Sequence, residues 1–97
     1  MNKITGAQIR AARALKRWTL QDLAEQASVG LSTIRRAEAE DGVPSIMAAN
    51  LKVIRMAFED AGIEFIDANG GGVGVRFKTP LQARKTQSNT NDDAIKR

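Results

Sequence analysis

Three short amphipathic segments stand almost end to end between Thr5 and Ala39, and no other feature of the 97-residue chain limits its fold so tightly. The first opens at Thr5 with Gln8 three positions on. This is the Ser/Thr-x-x-Glu/Gln pattern of a capping box, in which two side chains satisfy N–H groups that a helix start leaves unpaired. Ile9, Ala12, Leu15 and the nearby Trp18 recur at helical spacing while Arg10, Lys16 and Arg17 fall off that stripe, which predicts a helix over 6–17. Thr19 followed by Asp22 repeats the cap in weaker form, and Leu20, Leu23, Ala24 and Ala27 supply the apolar face of a second helix over 20–27. Ser28, Val29 and Gly30 interrupt the pattern. A third helix over 31–39 then turns Ile34 and Ala37 inward and leaves Arg35 and Arg36 outside.

Asp41, Gly42 and Pro44 break the chain, and Ser45 is placed to cap a fourth, longest helix. Its stripe of Met47, Leu51, Ile54, Phe58 and Ala61 ends at Gly62, a natural stop, and Asn50 could divide it into a turn and a helix. The period then falls to two. Ile63, Phe65 and Asp67 alternate with Glu64 and Ile66, and Val73, Val75 and Phe77 alternate with Gly74, Arg76 and Lys78, on either side of an Asn-Gly signal. That is the pattern of a β-hairpin. A lone hairpin is marginal in water, so this one is expected to lie on the helices, to pair with a second copy, or both. The expected organisation is a helical domain over 1–62, a hairpin over 63–77 and a flexible basic tail over 78–97, whose Gln, Asn and Thr-rich composition buries too little to order itself.

Charge is distributed unevenly along this plan. Residues 1–36 hold seven basic and two acidic side chains, an excess of five, whereas residues 37–77 hold three basic and seven acidic, a deficit of four. The basic end is suited to an anionic partner such as nucleic acid. The chain has no Cys and no His, which removes disulfides, thiolate metal sites, the commonest metal ligand and the usual general base. It is therefore expected not to be an enzyme and to need no cofactor or metal. No apolar run approaches the roughly 20 residues of a membrane-spanning helix, and MNKITGAQIR lacks the apolar stretch of a signal peptide, so no membrane partner and a cytoplasmic location are expected. A chain this short buries only about 60% of its unfolded surface, which favours pairing with a second copy.

Two short helices capped at Thr19 and joined by a three-residue turn, the second bearing paired arginines, have the form of a helix-turn-helix. Over residues 5–62 the chain resembles the XRE family of phage-type Cro and repressor DNA-binding domains. The matching positions are Ile9, Arg13, Thr19, Leu23, Ala24, Val29, Ile34 and Glu38. The resemblance implies a mainly α, lambda-repressor-like domain of four to five helices, followed here by the short hairpin and the disordered tail. It also implies that Ala24 stays small beneath the third helix, that Val29 and Ile34 fill the angle between the two helices, and that Arg13 and Glu38 form a partly buried ion pair. Two positions depart from the family pattern. Ser28 stands where a glycine usually takes positive φ, at a cost of about 1 kcal/mol if that conformation is kept. Leu20 stands where phage relatives often place a Gln that reaches the DNA backbone, leaving Gln21 as the substitute.

The same resemblance places Leu31, Ser32, Thr33, Arg35 and Arg36 against base edges in the major groove, with Arg36 the strongest candidate because a guanidinium forks onto guanine O6 and N7. Leu31 either touches a thymine methyl or packs within the protein. Arg10, Arg17, Thr19, Gln21 and Ser45 are expected at phosphates. Trp18 reads as core rather than as a stacking platform for bases. The Gly70 to Gly74 stretch lacks the Lys-Ser/Thr pair and helix start of a phosphate cradle and reads as a hairpin tip. The hairpin is similar to an extension on some bacterial XRE regulators, and Phe58, Ile63, Phe65, Val73, Val75 and Phe77 are expected to form a homodimer interface. A two-fold dimer sets two recognition helices about one DNA turn apart, roughly 34 Å, to match an inverted-repeat operator.

The expected function is a sequence-specific, dimeric transcriptional regulator of double-stranded DNA, a repressor or controller. With no separate sensor domain, its regulation falls to a protein antagonist or partner, or to operators of unequal affinity. The alternative is an antitoxin-type module that binds DNA and also neutralises a partner protein through its tail or hairpin.

Overall fold

The computed structural model describes residues 3–80, four helices and a two-stranded antiparallel sheet in the order α1 (Gly6–Lys16), α2 (Leu20–Ala27), α3 (Leu31–Glu38), α4 (Ala48–Asp60), β1 (Ile63–Ile66) and β2 (Gly74–Phe77). Both capping boxes are complete. Thr5 Oγ1 accepts from Gln8 N and Gln8 Oε1 accepts from Thr5 N, and Thr19 and Asp22 repeat the exchange at the start of α2. The ends of α1 and α2 are also alike. Arg17 and Ser28 sit in the left-handed region at φ 57° and 55°, and the residue after each donates back into the helix, Trp18 N to Arg13 O and Val29 N to Ala24 O. This Schellman closure usually employs glycine, so each non-glycine residue costs about 1 kcal/mol. Arg17 thus closes α1 rather than extending it.

One continuous core joins Ile4, Ile9 and Ala12 to Leu23, Ala24 and Ala27, to Ile34 and Ala37, and to Leu51, Ile54 and Phe58. Trp18 stacks on Phe58 with ring centroids 5.2 Å apart, and Phe65 meets Phe58 edge-on at 5.9 Å. Trp18, half-buried, thus packs against the core from just beyond α1. Three expected stripe members are not in the core: Leu15 and Met47 are 36% and 71% exposed, and Ala61 is only half-buried. Ser45 does not cap α4. The helix starts later, at Ala48 after an N-cap Met47 that makes no side-chain capping bond, because Ile46 turns onto the core and Pro44 is buried, which holds this stretch bent. α4 runs undivided past Asn50 to Asp60, and Gly62, with φ 94°, turns the chain into β1.

The strands pair Ile63 with Phe77, Glu64 with Arg76, Phe65 with Val75 and Ile66 with Gly74. Ile63, Phe65, Val75 and Phe77 therefore share the face that packs on the core. The connection is longer than the Asn-Gly signal suggests. It runs from Asp67 to Val73, which leaves Val73 outside the strand and 43% exposed. The hairpin is anchored by Gln8, which is buried and donates its Nε2 to the carbonyls of Ile66 and Gly74 at 3.2 and 2.9 Å. Lys78, expected to begin the tail, still belongs to the fold: its N–H donates to Gly62 O and its Nζ to Glu59 O. From residue 81 onward the expected tail lies outside the described residues. No helix among those described is long and apolar enough to cross a membrane.

Within one protomer, most residues of the expected dimer surface face the core. Phe58 and Ile63 are fully buried and Phe65 is 6% exposed, all three inside the core of a single copy. Val75 and Phe77 are half-buried against that same core. The hairpin's apolar face is thus already covered by its own helices.

Candidate nucleic-acid interface

α2 and α3 form a rigid pair because each contributes its apolar line to the shared core: Leu23, Ala24 and Ala27 from one, Ile34 and Ala37 from the other. The Ser28 conformation turns the chain between them, and Gly30 starts α3 by accepting from Thr33 N and Ile34 N at 3.0 and 3.2 Å. With one face fixed inward, the eight residues of α3 leave Ser32, Arg35 and Arg36 exposed on the other, with Thr33 half-buried at its edge. Leu31 is half-buried and packs against the core, the second of its two expected roles. A shallow cleft between the two helices is edged by Gln21, Glu25, Ser28 and Leu31.

The charges around this face are sorted into engaged and free. Arg13 forks onto Glu38 through Nε to Oε2 at 2.8 Å and Nη2 to Oε1 at 3.0 Å, and donates its Nη1 to Trp18 O at 3.0 Å. The hydrogen bond to Glu38, opposed by burial and aided by the carboxylate charge, holds the Arg13 proton more tightly than in a free guanidinium. Arg10 is likewise engaged, with Glu38 O at 2.7 Å, with Glu40 O and with the Asp41 carboxylate. It braces the loop after α3, and an expected phosphate contact is thereby occupied by the protein itself. The side chains of Arg17, Arg35 and Arg36, by contrast, are exposed and have no hydrogen-bond or ion-pair partner among the described residues. Thr19 Oγ1 caps α2, Gln21 Nε2 donates to Glu25 at 3.0 Å, and Ser45 is exposed in the loop before α4.

Two further close contacts of α1 tie it to neighbouring helices. Gly6 donates its N–H to Gly42 O at 2.8 Å, and a Cβ built on it would run into Glu40 O and come within 2.7 Å of Ala37 O. α1 therefore approaches the end of α3 so closely that only glycine fits. Lys16 donates its Nζ to Ala61 O at 2.9 Å, closing the end of α4. On the hairpin's outer face Arg76 forks onto Glu64 at 3.1 Å for both bonds, and this hydrogen bond holds the Glu64 carboxyl below its usual range. Among the described residues no cluster of three or more His, Cys, Asp or Glu is arranged to hold a metal ion. No family model matches the chain, and no curated protein matches it.

Proposed function

We propose that this chain is a non-enzymatic, sequence-specific DNA-binding regulator of transcription, a repressor or controller that acts as a homodimer on inverted-repeat operators in the cytoplasm. On this reading α2, the Ser28 to Gly30 turn and α3 are a helix-turn-helix of the XRE type, and α3 enters the major groove. The observation that supports it best is the pair of unengaged guanidinium groups at Arg35 and Arg36 beside Ser32, carried by a helix whose opposite face is fixed by Ile34, Ala37 and the Arg13–Glu38 fork. Free, forked donors on a rigid rod are what reading base edges requires. Arg17, together with the N-terminus of α2, supplies the sequence-independent phosphate contacts.

Selection of duplexes from a random pool by the full chain, followed by footprinting, tests this directly. The expected outcome is an enriched inverted repeat bound about a thousandfold or more tighter than scrambled DNA at fixed salt. Equal affinity for selected and scrambled duplexes would overturn it.

A further inference from the structure

α4 turns six residues to solvent: Ala48, Ala49, Lys52, Val53, Met56 and Asp60. At about 3.6 residues per turn, Ala49, Val53, Met56 and Asp60 form one line along the helix, opposite the Leu51, Ile54 and Phe58 line that enters the core. A surface helix ordinarily carries polar and charged side chains on that side. Here four of the six are apolar, and Val53 and Met56 are 37% and 47% exposed. The charges of α4 are also divided. Arg55 and Glu59 pair with each other at 2.9 Å, whereas Lys52 and Asp60, one of each sign, have no ion-pair partner among the described residues. Both stand four residues from Met56, on opposite sides of it.

This arrangement is complementary to itself. We infer that the outer face of α4 is a homodimer interface, in which the α4 helices of two copies pack antiparallel about a two-fold axis at Met56. Lys52 of one copy then comes level with Asp60 of the partner subunit, and the symmetry makes this contact twice. Between the two pairs, Val53 and Met56 are covered by the same residues of the second copy. Parallel packing would instead set Lys52 against Lys52 and Asp60 against Asp60, which like-charge repulsion opposes. The inference rests on the dimeric reading proposed above and moves the contact between copies from the hairpin, which is covered within the protomer, to α4.

Sedimentation equilibrium of the full chain tests it, with circular dichroism to verify that helix content is kept. The parent should dimerise reversibly, and Met56→Glu should raise the dissociation constant about tenfold or more. Lys52→Glu and Asp60→Lys should each weaken the dimer about threefold, and the double variant should recover most of that loss. A parent that stays monomeric, a dimer indifferent to Met56→Glu, or a double variant no tighter than either single would each overturn the interface. Binding of the same proteins to a duplex carrying one half-site separates the two readings. A parent that dimerises through α4 but binds no selected DNA removes the regulator and leaves the interface standing. A parent that binds the half-site while its dimer ignores α4 does the reverse.

Discussion

Arg13 in α1 and Glu38 at the end of α3 meet through two parallel hydrogen bonds of 2.8 and 3.0 Å, so the helix that opens the domain is tied directly to the helix that displays Arg35 and Arg36. Glu38 is 9% exposed and its carbonyl also accepts from Arg10, so the last turn of α3 is held from both its side chain and its backbone. The orientation of α3 thus depends on polar contacts that lie under the exposed arginines and are separate from them.

Glu38→Ala removes two charge-assisted hydrogen bonds but leaves Arg13 a quarter exposed and still donating to Trp18 O. It is therefore expected to destabilise by about 1.5 to 3 kcal/mol in urea unfolding. DNA affinity measured well below the transition should fall less than stability does, because Ile34, Ala37 and the Arg10 bond to the residue-38 carbonyl still hold α3 in place. A Glu38→Ala protein as stable as its parent would show that the fork contributes no stability.

Gly6 gives a sharper steric case. Its missing side chain is where the carbonyls of Ala37 and Glu40 lie, and those are backbone atoms that cannot rotate away. Gly6→Ala should cost about 1 to 3 kcal/mol or more by overpacking, although alanine is the better helix former. An unchanged melting temperature would mean that α1 does not approach α3 as closely as the contact requires.

Ser28 predicts a change of the opposite sign. It holds φ 55° and ψ 45°, a conformation glycine adopts freely, and its side chain makes no hydrogen bond among those described. Ser28→Gly is expected to stabilise by up to about 1 kcal/mol and to leave the exposed face of α3 intact. Loss of stability in thermal unfolding would show that the serine side chain does more than tolerate the turn.

Much of this fold is legible in the sequence because its helix starts are signalled by local chemistry. Thr5 with Gln8 and Thr19 with Asp22 set the first two helices, whereas the Arg13–Glu38 fork is implied only by the resemblance to a family pattern and by no local signal. The errors arise where long-range packing overrides local pattern. Ser45 has the chemistry of a cap, but Ile46 is drawn onto the core and delays α4 to Ala48. Ile63, Phe65, Val75 and Phe77 alternate as strand residues should, yet period two does not say whether the buried face meets another copy or the chain's own helices. The roles of Gly6 and of the Gln8 amide depend on partners more than thirty residues away, so no local motif announces them. At the candidate site, the exposed set Ser32, Arg35 and Arg36 follows from helical spacing. That Arg10 is engaged with Asp41 and the α3 end does not, because an arginine's partner is invisible to periodicity.

Arg36 and Arg17 carry the prediction that separates base reading from backbone attraction. Both are exposed and unengaged among the described residues, so either can be removed without leaving a buried partner unsatisfied, and folding should be unaffected within about 0.5 kcal/mol. Arg36 lies on the outer face of α3, and Arg36→Ala should weaken binding to the selected operator by about 1 to 3 kcal/mol while changing affinity for scrambled DNA much less. Arg17 closes α1 just before the N-terminus of α2, and Arg17→Ala should weaken binding to both duplexes alike and lower the salt dependence of log K by about one. Titrations of both variants on both duplexes at several salt concentrations check the pair together. If Arg36→Ala lost affinity equally for operator and scrambled DNA, α3 would be a general phosphate contact and the groove assignment would fail.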